Sequence, residues 1–238
     1  LKQGLAYGYQ AEYSGATAPA LNRLPVAEKL KHIETTSRVY ADCTLKPERF
    51  VMQATRLTLV SHASTRAQKR ARFALDEPVE MDWQQAALSQ AQRFKRAPLV
   101  VCGPEARTRQ TAALFAADAS VETALRDCDF GHWQGLAIDE IQQAEPQALQ
   151  AWLTDSSSAP HGGESVVQLC ERVGQWLQSL EQTPGHVLAV THPFVIRAAL
   201  LHVMQCPPAL FNLIDVEPLS STELRFNGRW RLRLETHA

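Results

Sequence analysis

Arg56-Leu57-Thr58-Leu59-Val60-Ser61-His62-Ala63-Ser64-Thr65 is the stretch on which the reading of the fold turns. Its first half is a short apolar run rich in β-formers, the pattern of a strand buried on both faces, and its second half is a small polar turn that presents one imidazole. In an open α/β sheet, ligands collect beyond the carboxyl ends of the strands. His62 is therefore placed for chemistry. A second stretch has the same form: Val187-Leu188-Ala189-Val190-Thr191-His192 reads as a buried strand ending in a histidine, and residues 193–200 read as a helix. Its opening Pro193 is tolerated because the missing N–H had no partner in a first turn. Two strand-end histidines can then share one crevice beside a helix N-terminus, where backbone N–H groups favour anions. One such histidine alone is more often structural; the matched pair points to a phosphate site.

The chain around these stretches is of ordinary globular composition. At 238 residues it is long enough for a full core. With 24 basic and 25 acidic side chains the formal net charge is −1, so no global field attracts nucleic acid or a membrane surface. No apolar run approaches the roughly 20 residues that span a bilayer. The five cysteines (Cys43, Cys102, Cys128, Cys170, Cys206) are widely spaced and contain no CxxC pair, which argues against a disulfide framework or a zinc site. No metal and no cofactor is expected. A reducing cytoplasm is the expected compartment, and Cys102 and Cys170 read as buried and inert.

Residues 1–51 differ from the rest, with glycines and tyrosines at no regular period; they read as a mobile extension with one amphipathic helix over residues 25–38. Met52 just precedes the first core strand and reads as a natural start, so the domain is expected over residues 52–238. The His62 turn leads into the basic run Arg66-Ala67-Gln68-Lys69-Arg70-Ala71-Arg72-Phe73, and residues 83–96 carry a helical period. Residues 98–103 form a second buried-type strand. It runs into Pro104-Glu105-Ala106-Arg107-Thr108-Arg109-Gln110-Thr111-Ala112, a turn becoming a helix, where an arginine can aim a planar fork of donors at a phosphate. Arg107 and Arg109 are two apart and cannot both point there.

A strand over residues 120–125 precedes the irregular loop Arg126-Asp127-Cys128-Asp129-Phe130-Gly131-His132-Trp133-Gln134-Gly135, which carries two carboxylates close together. Short helices follow at 139–144 and 146–153. After a surface loop at 155–163, where His161 adjoins a glycine pair, Glu164-Ser165 opens a long amphipathic helix. Glu164 reads as a charge complementing that helix's dipole, and Trp133 as packing. Pro207-Pro208 breaks the chain, strands are expected at 211–216, 221–226 and 229–235, and Asn227-Gly228 signals a two-residue hairpin. The order of elements is a set of βα units ending in a β-hairpin: an α/β domain in three layers.

Together the pieces resemble the histidine phosphatase superfamily, also called the phosphoglycerate mutase-like superfamily, over about residues 55–234. The family's opening Arg-His-Gly-x-Thr stands as Ser61-His62-Ala63-Ser64-Thr65. Its Pro-x-x-Arg-Ala-x-Gln-Thr-Ala stands at residues 104–112 and its acid loop at residues 125–135. Its Gly-Gly-Glu-Ser helix start is residues 162–165, and its late strand-His is Val190-Thr191-His192. The resemblance implies a mostly parallel central sheet between helical layers. It implies a metal-independent phosphatase acting on a small phosphorylated metabolite, with His62 as nucleophile, Arg107 and His192 gripping the phosphoryl oxygens, and Asp127 as the proton donor and acceptor. Asp129 is the rival for that last role. Ser61 and Thr65 stand in the phosphate-binding motif, but Ser61 replaces the family's first arginine. Losing such a donor from a dry pocket costs roughly 2–4 kcal/mol of transition-state stabilisation. Arg66, Arg70, Arg72 or Arg109 could supply the charge, with Arg72 the first candidate because Arg72-Phe73 matches an Arg-Phe pair of the family. The Ser61 and Asp127 replacements also motivate an alternative, a catalytically weak or inactive phosphate-ligand binding protein. A mutase ranks below both, because the segments between motifs are short.

Overall fold

The computed structural model describes residues 54–80 and 98–234. The expected N-terminal extension, the helix expected at 83–96 and Cys43 lie outside them. Among the described residues, six strands form one sheet: β1 (Thr55–Ser61), β2 (Leu99–Cys102), β3 (Ser120–Val121), β4 (Gly185–Thr191), β5 (Ser221–Phe226) and β6 (Trp230–Arg233), in the order β3-β2-β4-β1-β5-β6. The pairings among β3, β2, β4 and β1 are parallel, whereas β5 and β6 are added antiparallel at one side. The expected α/β fold with a mostly parallel sheet and a terminal hairpin is the fold observed.

The helices are α1 (Arg66–Lys69), α2 (Ala106–Ala112), α3 (Ile138–Ala144), α4 (Pro146–Thr154), α5 (Val166–Leu180) and α6 (Pro193–Met204). Alternation along β1 decides which layer each residue joins. Leu57 and Leu59 enter the larger core with Leu169, Val173 and Leu177 of α5 and Val195, Ala198 and Ala199 of α6. Val60 turns to the opposite face, with Val100, Cys102, Leu188, Val190 and Ala112 of α2. Burial of both faces explains the unbroken apolar runs of β1 and β4. α5 starts where Ser165 and Gln168 close a reciprocal capping box. α6 starts at Pro193 and stops at Gln205, whose φ of 55° is left-handed.

Four sequence expectations are corrected. Residues 211–216 are no strand: Pro207-Pro208 feeds a 3₁₀ helix over Pro208–Leu213, in which Phe211 alone is buried. The strand expected over 120–125 lasts two residues before Glu122 caps a 3₁₀ turn, Thr123–Leu125. The hairpin loop has three residues, because Phe226 pairs with Trp230. Cys170 is half-buried rather than buried, although Cys102 is fully buried.

Candidate active site

The parallel pairing of β1 and β4 places Ser61 opposite Thr191, so the next residue of each strand, His62 and His192, leaves the sheet at the same level. Their ring centroids are 5.1 Å apart and nearly perpendicular. His62 is 2% exposed and His192 fully buried. The His62 backbone N–H donates to Thr191 O at 2.9 Å, tying the two strand ends together. Nδ1 of His62 lies 2.7 Å from Ala63 O; a carbonyl only accepts, so Nδ1 carries the hydrogen and Nε2 keeps its lone pair. Burial above all, and the adjacent His192 next, pushes the His62 pKa down to about 3. The turn after His62 is held from α2: Ala63 N–H donates to Thr111 Oγ1 at 3.0 Å, and Thr111 Oγ1 donates to Arg107 O at 2.8 Å.

Arg107 projects from the first turn of α2 and is 2% exposed, whereas Arg109 faces solvent. Its Nη1 donates to Leu75 O at 2.8 Å, its Nη2 to Asp127 Oδ2 at 2.6 Å, and its Nε to His192 Nδ1 at 3.3 Å. Asp127 Oδ2 is also 3.3 Å from His192 Nδ1, and Asp127 Oδ1 accepts from Cys128 N. Burial would raise the Asp127 pKa, but the His192 and Arg107 charges outweigh it and hold the carboxyl below its ordinary range. The other nitrogen of His192, Nε2, lies 2.8 Å from Glu105 Oε2. Glu105 Oε1 accepts from the Asp127 backbone N–H at 2.9 Å. Sequence reasoning passed over Glu105 and Thr111, which the motif quoted without a role.

His62, Arg107, Asp127 and His192 are thus brought together, and the remaining expected residues are engaged differently. Asp129 caps its own loop, accepting from Gly131 N at 2.9 Å and from Gln134 Nε2. The Thr65 hydroxyl accepts from Gln68 N and caps α1. Arg72 donates to Gly135 O at 2.9 Å and pairs with Glu140. Ser61 is buried, and its Oγ has no hydrogen-bond partner among the described residues. Glu164 is not merely a helix-start charge: it forms a bidentate pair with Arg172 of α5 at 2.8 and 2.6 Å. Arg172 in turn donates to Ala124 O and Arg126 O, fixing the acid loop from behind. The fully buried Trp133 packs beside Phe73, Trp152 and His161, and His161 accepts from Gly163 N.

The model of the histidine phosphatase superfamily (branch 1) matches residues 57–236. The chain belongs to this superfamily. The glucosyl-3-phosphoglycerate phosphatase of Mycolicibacterium vanbaalenii is 33% identical over 129 residues, covering 51% of this chain and 57% of that protein. Phosphoserine phosphatase 1 of Hydrogenobacter thermophilus is 26% identical over 193 residues, covering 72% of this chain and 92% of that protein. The solved structure of a mycobacterial glucosyl-3-phosphoglycerate phosphatase superposes with a TM-score of 0.66 at 28% identity, covering 75% of this chain and 97% of that one. The chain spans about half the length of the mycobacterial curated relatives it matches. As a member of the superfamily it joins relatives named as phosphatases, which leaves the reading of an inactive binding protein without support.

Proposed function

We propose that this chain is a phosphomonoesterase that hydrolyses a small phosphorylated metabolite through a phosphohistidine on His62. One observation carries the reading. A buried imidazole with its hydrogen fixed on Nδ1 and its pKa near 3 faces a second buried imidazole and a buried guanidinium. Such a ring is a neutral nucleophile over the whole physiological range.

In the first step Nε2 of His62 forms a bond to phosphorus as the bond from phosphorus to the ester oxygen breaks. The departing oxygen takes a proton from the Asp127 carboxyl. In the second step water attacks phosphorus, Asp127 takes back a proton, and the N–P bond breaks to return neutral His62 and inorganic phosphate. Arg107 and His192 balance the charge on the equatorial oxygens. Asp127 Oδ2 lies against both of these groups. An arriving phosphate competes for them, and the carboxyl, stripped of its positive neighbours and set beside an anion, gains affinity for the proton it must deliver.

The test uses p-nitrophenyl phosphate. His62→Ala is expected to reduce kcat by roughly 10³-fold or more, and EDTA to leave turnover intact. Asp127→Asn is expected to lose roughly 10²–10⁴-fold in kcat, most steeply with alkyl phosphates, whose leaving groups need the proton. Rapid acid-free quench of Asp127→Asn is expected to trap an adduct of phosphoryl mass on residue 62. Undiminished turnover by His62→Ala defeats the reading.

A further inference from the structure

Arg197 is a largely buried cation without a close anion. It stands on α6 with its side chain 19% exposed, and its Nε is buried with no hydrogen-bond partner among the described residues. Its ionic neighbour among them is Asp215, whose Oδ1 lies 4.0 Å from Nη2 and whose side chain is 98% exposed. Arg107 and Arg172, by contrast, each meet a carboxylate at 2.6 Å. A guanidinium withdrawn from water without a matched anion costs free energy. Burial accordingly lowers the Arg197 pKa, and Asp215 opposes the shift.

Aromatic rings hold the side chain in place. Its Cζ lies 5.4 Å from the centroid of Phe194 and 5.6 Å from that of Phe211, and those two rings meet at 5.0 Å. The attraction of a cation to a ring leaves the in-plane N–H fork available, and that fork matches a carboxylate with two parallel hydrogen bonds.

The position sets this fork beside the catalytic cluster. Arg197 follows His192 by five residues, about 7.5 Å along the axis of α6, and helical side chains lean back toward the N-terminus. Phe194, under the guanidinium, meets Phe130 of the acid loop at 5.2 Å. The segment that carries Asp215 runs on to Leu219 and Ser220. Leu219 N–H donates to Ser61 O at 3.2 Å, and Ser61 N–H donates to Ser220 O at 3.0 Å, next to His62. Three elements thus lead from Arg197 to the cluster: α6 to His192, the acid loop to Asp127, and the returning segment to His62.

We propose that Arg197 is a specificity-determining residue that grips a carboxylate on the substrate, remote from its phosphate. The proposal rests on the phosphatase reading and narrows its substrates to phosphorylated carboxylic acids. One guanidinium balances one negative charge. A carboxylate carries one, whereas a second phosphate would bring about 1.5 to 2 at pH 7 into the neighbourhood of Asp215. The incoming carboxylate takes the N–H fork of Arg197 and leaves Asp215 to water.

The test pairs ω-carboxyalkyl phosphates of increasing chain length with ω-hydroxyalkyl phosphates of equal length. For the wild type at the best length, kcat/KM is expected to favour the carboxylate by roughly 10–100-fold, the worth of a hydrogen bond to a charged group. The difference is expected in KM rather than kcat, because the remote group is bound alike in ground and transition states. Arg197→Met is expected to bring the pair close to parity and Arg197→Lys to keep part of the preference. Asp215→Asn, a change at an exposed position, is expected to widen it. The ratio within a pair cancels any loss of folded protein common to both esters. A wild type indifferent to the carboxylate at every length, an Arg197→Met that keeps the preference, or an Asp215→Asn that fails to widen it overturns the proposal. Turnover of p-nitrophenyl phosphate without that preference sinks this proposal alone. If no ester turns over, calorimetric binding of the same pairs decides. Tighter binding of the carboxylate then sinks the phosphatase reading and leaves the Arg197 site standing, and equal binding sinks both.

Discussion

At the scale of single residues, the depressed pKa of His62 couples chemistry and stability with opposite preferences. The folded protein holds the ring neutral down to about pH 3, whereas the unfolded chain protonates it near pH 6.5. Above pH 6.5 neither state binds the proton and stability is unaffected. As pH falls from 6.5 toward 3 the unfolded state is favoured by about 1.4 kcal/mol per unit. Urea midpoints measured from pH 7 to pH 4 are expected to fall, and to fall less steeply in His62→Gln. Activity runs the other way. The proposed nucleophile stays unprotonated through that acid range, while the proton that the proposed reaction delivers to the leaving group becomes scarcer above about pH 6, where phosphomonoesters lose their second proton. A kcat/KM profile skewed toward acid is the expected form, and a maximum above pH 8 would contradict it. The sequence disclosed His62, Arg107 and His192 because each sits in a local pattern, a strand end or a helix start, and Asp127 because its loop matches a family motif. Glu105 carries no such signal. It meets a ring 87 positions later, and a lone glutamate before a helix reads as a dipole charge.

At the scale of elements, the acid loop is shaped by backbone pressed against backbone. A Cβ on Gly163 would lie 2.0 Å from Asp129 O, and one on Gly131, at φ +47°, 2.0 Å from His161 O. Neither partner is a side chain that could swing aside. Gly163→Ala is therefore expected to cost about 3 kcal/mol and to lower kcat by shifting Asp127, as read by thermal unfolding alongside turnover. Arg172 grips the same loop from α5 through Glu164 and two carbonyls. Arg172→Met leaves the Glu164 carboxylate with only the longer Arg126 contact, and roughly 3–5 kcal/mol of stability is expected to go with it. Adding Glu164→Gln should return part of that loss in the same denaturation assay. Among the described residues, the long amphipathic helix Val166–Leu180 was legible from its period. The strand expected at 211–216 was not, because apolar alternation behind a double proline fits one buried turn of 3₁₀ helix equally well.

At the scale of the whole molecule, charge is balanced locally as well as globally. The antiparallel side of the sheet gathers Arg56, Arg225 and Arg233 around one buried carboxylate, Glu223, from three adjacent strands. Glu223→Gln removes the anion those arginines share across β1, β5 and β6. Its expected effect is a loss of about 3 kcal/mol in denaturant with kcat nearly unchanged, since the hairpin carries none of the four clustered residues. Sheet order was beyond the sequence. Nothing local says that β4 inserts between β1 and β2, and that insertion alone makes the two histidines neighbours.

The in-register pairing of β1 with β4 has a consequence for biogenesis. During synthesis His62 leaves the ribosome some 130 residues ahead of His192, and the elements between them are made first. A species in which β1 has yet to pair with β4 lacks the two-histidine cluster, so turnover recovered in a refolding experiment is expected to follow that long-range pairing and to lag behind the helical signal. The two-histidine cluster waits on the pairing of β1 with β4.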